Sequence, residues 1–485
     1  MSIVSALNTA SSGLAVTAKM TEITASNVAN AMTPGYARRE AQISSTVLGS
    51  VSGGVQLDSV SRRIDTMLVR SLRDTTSTLN AQQSRTEFLK AFESLLGTAD
   101  EGNSLSAHLA KLERSLIEAA ARPDVESRLA AAVGAAQNLT TRINEISDNL
   151  HAKREQVDAA IAADVAIANS TLQNIATLNR LIQDYTATNR DVSTLLDQRQ
   201  QALDTLSEII PLREVVRANN QLTLYSSGGT KLVDGAEAIL NFQPTTSITA
   251  DMSITSGALS GLSIDGKLVS TGPAGGRLGE GRLSALFNLR DVEIPQSQAQ
   301  IDGFAREIID RMSATGFDPS LPIGAAGLFT DAGNGFDPLN EAGLASRLKV
   351  NIAVLPEEGG AYHKLRDGLG ATTVGPLGNA ELITKIADSI SASSRPSSQA
   401  FGQSEGSVSD LLNTLMSAAA TKRLTAEQSQ SFSAARHTML QQEFLADGIN
   451  TDDEMQVLLV LEKLYAANAK VLKAADDMLS VILGI

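Results

Sequence analysis

Proline and glycine are spread very unevenly along this chain, and that distribution limits its fold more than any motif does. Ten of the 12 prolines lie between Pro211 and Pro396, and 24 of the 36 glycines between Gly228 and Gly378. No glycine falls between Gly134 and Gly228, and no proline between Pro123 and Pro211. Proline breaks a helix because it lacks an N–H and clashes with the preceding turn; glycine weakens one because it loses most backbone freedom on ordering. Long helices are therefore permitted on both sides of one irregular block. The chain reads as mainly α with a β-rich insertion: a long antiparallel helical bundle, paired N- and C-terminal helices, and a Gly-rich β module in the middle. Its 485 residues suit roughly three domains. Residues 1–40 with 440–485 read as a terminal-helix core domain. Residues 41–210 with 280–315 and 380–439 read as the bundle, 211–279 as an outer β module, and 316–379 as a Gly-rich segment of either the bundle or the β module.

Periodicity fills in this frame. Ile3, Leu7, Ala10, Leu14, Val16, Met20, Ile23 and Val28 predict a helix over about 3–30, stopped by Thr33-Pro34-Gly35-Tyr36, a type II turn pattern with glycine at the positive-φ position. Residues 41–60 read as extended. Ile161, Val165, Ala168, Leu172, Ile175, Asn179 and Ile182 keep 4-3 spacing on a helix of about 135–185, for which residues 61–120 are the expected antiparallel partner. Gln221–Tyr225 alternates as a strand does, and Asp265-Gly266 between apolar residues predicts a type I′ hairpin. In the last helix Thr451 and Glu454 suggest a capping box. Val457, Leu461, Leu464, Asn468, Val471, Ala475, Met478, Ile482 and Ile485 then hold 4-3 spacing without a slip. Only six charges fall in residues 1–60 (Lys19, Glu22, Arg38, Arg39, Glu40, Asp58). A lone amphipathic helix cannot bury its stripe, so the two ends are expected to associate with each other and with copies of themselves.

Composition excludes much chemistry. Aromatics are 3% with no Trp, so the cores must be aliphatic. The net charge of −14 argues against non-specific nucleic-acid or anionic-membrane binding. The absence of Cys removes disulfides, thiolate metal sites and thiol catalysis. His108, His151, His363 and His437 lack metal-site spacing. Gly261–Lys267 resembles a phosphate loop, but Leu268 stands where Ser or Thr would hold magnesium, and the Asp-Gly turn already explains it. Catalytic, cofactor and metal residues are thus expected to be none. An exported cell-wall hydrolase is the alternative from another class. Its acidic candidates Asp331, Asp337 and Glu341 show no recognised spacing. No cleavable signal or apolar spanning run is visible in the first residues, so no membrane insertion is expected.

Residues 5–14, SALNTASSGL, and 25–38, ASNVANAMTPGYAR, resemble the N-terminal signature of bacterial flagellar rod, hook and hook-associated axial proteins. Residues 448–485, with Tyr465-Ala-Ala-Asn-Ala-Lys470, are similar to that family's C-terminal signature; Glu462-Lys463 departs where relatives commonly carry Gln. Residues 193–209 (STLLDQRQQALDTLSEI) and 275–291 (GGRLGEGRLSALFNLRD) are similar to the family's hook–filament junction members. The resemblance implies a structural subunit exported without cleavage through the flagellar type III apparatus and assembled as the hook–filament junction. Terminal helices would stack into a tubular core, with the bundle and then the β module outside. Implied partners are the chain itself, the hook protein, a second hook–filament junction protein and a cytosolic export chaperone at the C-terminal helix. The alternative within the family is another axial protein, hook or hook-associated. The assembly residues this assigns are Ile3, Leu7, Leu14, Met20, Ile23, Val28, Val457, Leu461, Leu464, Tyr465, Val471, Met478 and Ile482, with Asn30, Thr33, Pro34, Gly35 and Tyr36 as the family turn.

Overall fold

The computed structural model describes residues 3–48, 51–98, 101–188, 190–272, 276–402, 405–482 and 484; Gly275 and Ile485, parts of the patterns above, lie outside them. The chain opens with α1 (Ile3–Ala29), a long hairpin of β1 (Arg38–Leu48) and β2 (Val51–Arg63), then α2 (Thr66–Leu96), α3 (Leu105–Ala121), α4 (Glu126–Ala187) and α5 (Ser193–Ser207). The breaker-rich block holds β3 (Leu212–Val216), β4 (Leu222–Ser226), β5 (Lys231–Asp234), β6 (Ala236–Glu237), β7 (Leu240–Asn241), β8 (Ser263–Ile264) and β9 (Lys267–Leu268). It continues with α6 (Arg282–Asn288), α7 (Ile294–Ser313), β10 (Phe329–Asp331), α8 (Leu344–Arg347), β11 (Leu348–Val350) and α9 (Lys364–Asp367). Helices resume as α10 (Glu381–Ser391), α11 (Val408–Ala446) and α12 (Thr451–Ile482). The chain is mainly α, with small antiparallel sheets ordered β3-β4-β5-β6, β7-β8-β9 and β10-β11 in its middle.

The 62 residues of α4 make a spine roughly 90 Å long at about 1.5 Å per residue. Its predicted seam from Ile161 to Ile182 is buried throughout. The expected single antiparallel partner from residues 61–120 is not there. From that range α3 folds back along α4, whereas α2 runs mainly beside α11. The reason lies in α2 itself. Its buried apolar residues sit at its two ends (Leu68 and Val69; Phe88, Leu89, Phe92 and Leu96), with Arg73, Thr75, Ser77 and Thr86 between them. Such a helix has too narrow an apolar stripe to cover a long seam. Ion pairs of Glu93 with Arg423, and of Lys90 with Glu427 at 3.2 Å, tie it to α11 instead.

What covers α4 is the irregular middle of the chain, laid antiparallel along it. Asn179 donates to the carbonyl of Leu222 (2.9 Å), Asn169 to Leu240 (2.8 Å), and Arg154 to Thr249 and Met252 (3.0 and 2.7 Å). Asn144 reaches the carbonyls of Ala345 and Leu348, and Gln137 the carboxylate of Glu357 (3.1 Å). Polar side chains on one helix thus satisfy backbone groups of loops that have no ladder partner, which burial would otherwise penalise. Leu222, Leu224, Leu232 and Val233 join the same hydrophobic core as Ile161 and Leu172. Residues 316–379 also lie on bundle helices, through β10, β11 and α8 against α4 and α7.

Helices α6 and α7 are joined by a π-helical turn, Leu289–Glu293, that absorbs Pro295. Asp265 and Gly266 have φ of 50° and 76°, as a type I′ turn requires, and Ser263 pairs with Leu268. β11 stops at Val350: Ile352–Val354 is a 3-10 turn capped by Asn351, which accepts from Ala353 N at 3.0 Å. Residues 41–60, read only as extended, form the β1–β2 hairpin, which packs on α1 where Ser12 Oγ accepts from Val55 N at 3.2 Å.

Candidate functional site

The two ends of the chain meet. α1 and α12 pack antiparallel, flanked by β2. Gly13 faces Asn468, whose amide lies 2.8 Å from where a Cβ would stand, and Asn27 donates to Glu454 Oε2 at 3.1 Å. These contacts lie fourteen residues apart on each helix and so fix one register. On α1 the buried residues are small or polar: Ala10, Gly13, Thr17, Thr24 and Asn27 at spacings of 3, 4, 7 and 3, with Val16 beside them. That permits close approach of the helix backbones at little gain of apolar area.

The base of the pair is a polar node. The Asn27 side chain donates to Arg39 O and Glu454, and accepts from Arg39 N and from Tyr36 OH, all at 3.0–3.1 Å. Arg38 Nε donates to Glu454 Oε1 at 2.6 Å. Asp197 on α5 accepts from Ala37 N (3.3 Å) and Arg62 Nε (2.8 Å), with Arg39 at 3.3 Å. The turn Thr33–Tyr36 is held by Tyr36 N donating to Thr33 O at 3.2 Å, with Gly35 at φ 76°. Asn30 donates to Ser26 O, while Thr33 and Pro34 are exposed. Tyr36 therefore serves as a hydrogen-bonding post within the turn.

Glu454 corrects the expected capping box. It is 2% exposed and turned inward to Arg38 and Asn27, not back to the backbone N–H of Thr451. Asn450 caps the helix instead, its Oδ1 accepting from Asp452 N at 3.0 Å. A charge-assisted bond to a guanidinium is stronger than one to an amide, so the carboxylate goes to Arg38.

The seam of α12 that faces α1 also differs from the one read from sequence. Glu454, Leu461 and Ala475 are buried, and Leu458, Asn468, Leu472 and Leu479 are partly covered. Val457, Leu464, Val471 and Met478 are 38%, 49%, 48% and 54% exposed, and Tyr465 and Ile482 are also exposed. On α1 the expected residues Ile3, Leu7, Leu14, Met20, Ile23 and Val28 are half-buried. The structure thus splits the apolar residues of α12 into two stripes. One is turned to α1. The other, Val457, Val460, Leu464, Ala467, Val471, Ala474, Met478 and Val481, keeps 3-4 spacing over its whole length and is exposed. Val460, Ala467, Ala474 and Val481 escaped the sequence reading, because a strict single heptad already accounted for the helix.

Among the described residues no group of three His, Asp or Glu could hold a metal ion, and no helix is long and apolar enough to cross a membrane. Asp331 pairs with Arg347, Glu341 with Arg306, and Asp337 caps a 3-10 turn, so the three acidic candidates have separate structural partners.

Comparison with known proteins gives three family matches. Residues 7–36 match the flagella basal body rod protein, 89–318 the flagellar hook-associated protein FlgK helical domain, and 441–485 the flagellar basal body rod FlgEFG protein C-terminal. The flagellar hook-associated protein 1 of Salmonella typhimurium is 27% identical over 323 residues, covering 64% of this chain and 56% of that protein, little more than half its length. The protein of the same name from Escherichia coli K12 is 25% identical over an alignment covering 99% of this chain and all of that one. The solved flagellar hook junction protein FlgK from Burkholderia pseudomallei is 18% identical, with a TM-score of 0.44 over 54% of this chain and 46% of that chain.

Proposed function

We propose, on the premise that the chain belongs to the family of flagellar hook-associated protein 1, that it is a structural subunit polymerising at the hook–filament junction through the exposed stripe of α12. The observation that carries this is the second apolar seam. An eight-residue stripe at unbroken 3-4 spacing is left uncovered by the described residues, and a second helix at coiled-coil spacing would cover it. Covering the exposed halves of Val457, Leu464, Val471 and Met478 would contribute about 1 kcal/mol each. In this reading neighbouring copies supply that cover and close a tube of terminal pairs. The Ile3, Leu7, Leu14, Met20, Ile23 and Val28 side of α1 would line the same contacts, and Thr33–Tyr36 would hold the angle at which the pair leaves the bundle. The hook protein below and a second junction protein above are the remaining partners. A cytosolic chaperone shields the α12 stripe before export, which proceeds without a cleaved signal. The proposal keeps the domain division read from sequence, with residues 211–279 facing outward in the assembly while their inner face packs on α4.

The test is the double variant Leu464→Asp/Val471→Asp. Both side chains are exposed, so the purified chain keeps its helical circular dichroism. Cells then secrete it into the medium, carry hooks and lack filaments. Filaments in normal number would count against the assignment.

A further inference from the structure

Where β2, α2, α5 and β3 meet, a cavity of about 130 Å³ is lined by four guanidinium groups, Arg62, Arg70, Arg73 and Arg199, and one carboxylate, Glu214. Two of the four cations are neutralised. Arg62 pairs with Asp197 at 2.8 Å, and Arg73 pairs with Asp204 at 2.6 Å and with Glu214. The other two are not. Arg199 is 7% exposed and pairs with no carboxylate among the described residues; its Nη1 donates to Asn179 Oδ1 and Asn220 O, both at 2.8 Å. Its Nε and Nη2 make no hydrogen bond among the described residues. Arg70, on the first turns of α2, is exposed and has no partner there either.

Arg199 is a largely buried guanidinium without a carboxylate partner among the described residues, and its two unbonded nitrogens stay open to solvent, where an anion could reach them. Burial, with Arg62 and Arg73 adding repulsion against the attraction of Glu214, lowers the Arg199 pKa to about 10. The space in front of it equals roughly four waters at about 30 Å³ each. That is room for a compact anion and little more. Arginine forks suit oxygens that share a negative charge, because two parallel N–H groups can meet two oxygens at once.

We propose that this cavity binds a small oxyanion, held by Arg70 and Arg199 and bordered by Arg62 and Arg73. Its place gives it a consequence. It lies between β2, which carries the terminal-helix pair, and the bundle helices α2 and α5 with β3, so an anion bound there ties the two together. Phosphate from solution and a carboxylate side chain of a neighbouring acidic copy share this chemistry.

The experiment uses the full chain as an unassembled monomer, so its outcome is independent of any role in the flagellum. Inorganic phosphate is titrated by calorimetry and thermal shift at ionic strength held constant with sodium chloride. Saturable binding that raises the melting temperature is expected, with chloride alone giving no such rise. Arg70→Gln removes no internal bond and should fold normally, yet weaken phosphate about tenfold, the loss of one charge-assisted contact. Arg199→Lys keeps the charge without the fork and should weaken it comparably; should that variant fail to fold, Arg70→Gln decides alone. Acetate competing with phosphate would point to a neighbour's carboxylate as the occupant, and failure to compete to phosphate itself. A melting response that chloride reproduces, or phosphate binding unchanged in Arg70→Gln, overturns the proposal.

Discussion

Arg290 shows how much one side chain can hold. It is fully buried at the π turn, bonded to Asp158 at 2.7 Å, to Asp291 at 2.8 and 3.0 Å and to Ser260 O at 2.9 Å. Its guanidinium lies over the rings of Phe287 and Phe242, 5.0 and 5.5 Å from their centroids. It therefore joins α4, the π turn and the loop before β8. Arg290→Met would leave Asp158 buried without its cation, a loss of about 3–5 kcal/mol, read as a lower urea midpoint. Asp302 acts differently. It is 2% exposed, and its carboxylate accepts from Gly343 N and Ala345 N, both at 2.8 Å, and from Gln298 at 2.9 Å. Burial raises its pKa to about 6, with the two backbone N–H groups and Gln298 opposing. The folded chain thus holds a proton that the unfolded chain releases near pH 4. This group's contribution to stability is greatest below about pH 4 and falls as pH rises to about 6, by on the order of 2–3 kcal/mol. Asp302→Asn should flatten that part of the stability–pH curve. An unchanged slope between pH 4 and 6 would show that Asp302 does not titrate there.

At the level of elements, α12 separates two roles within one heptad. Leu461 is 2% exposed and sits in the register fixed by Gly13–Asn468 and Asn27–Glu454, whereas Leu464 stands 49% exposed in the outer stripe. Leu461→Asp would bury a carboxylate against α1 and should open the already marginal terminal pair further, seen as amide exchange over both helices faster than in the unsubstituted chain. Leu464→Asp alone should leave exchange unchanged, because ordinary surface substitutions stay within about 0.5 kcal/mol. The long α4 shows the converse arrangement. Asn179 stands in the predicted seam as its one polar member, and it, Asn144 and Asn169 each bond the backbone of a loop that wraps the helix. Asn179→Leu should cost about 1–3 kcal/mol, since the Leu222 carbonyl and the Arg199 guanidinium both lose a partner.

For the whole molecule, the core is continuous from α3 through α4 to the β3–β6 sheet. Residues 212–275 are therefore more than an ornament on the bundle. Deleting them would uncover part of the α4 seam, and the truncated chain should lose helical circular dichroism or aggregate. A soluble, fully helical deletion would show that α4 is covered without them. The terminal pair is the opposite case. On α12 only Glu454, Leu461 and Ala475 are buried, and on α1 the buried set is mostly Ala, Gly, Thr and Asn. Its apolar gain at about 25 cal/mol per Å² is small against the backbone entropy of some sixty residues at about 1–2 kcal/mol each. Limited proteolysis of the monomer should cut near Asp447–Asn450 and remove both ends early, leaving a resistant bundle. Assembled material should resist the same cuts.

Much of this was legible in the sequence for physical reasons that act locally. Breakers are disfavoured inside long helices, so the gap between Gly134 and Gly228 marked most of α4, and Pro34-Gly35 and Asp265-Gly266 dictated their turns. Periodicity found α1, the α4 seam and α12, because one-sided burial writes itself into spacing. What stayed hidden depended on which partner a side chain chooses across the fold. Glu454 had a local backbone donor and a distant Arg38, and only the packed structure shows that the guanidinium wins. Residues 61–120 had the length to line α4, but the sparse apolar stripe of α2 sent it to α11. On α12 the sequence specified an apolar helix with more nonpolar residues than one neighbour can cover. The close approach at Gly13–Asn468 then decided which stripe turns inward and which is left for another chain, because a helix face is settled by the shape of the surface it meets.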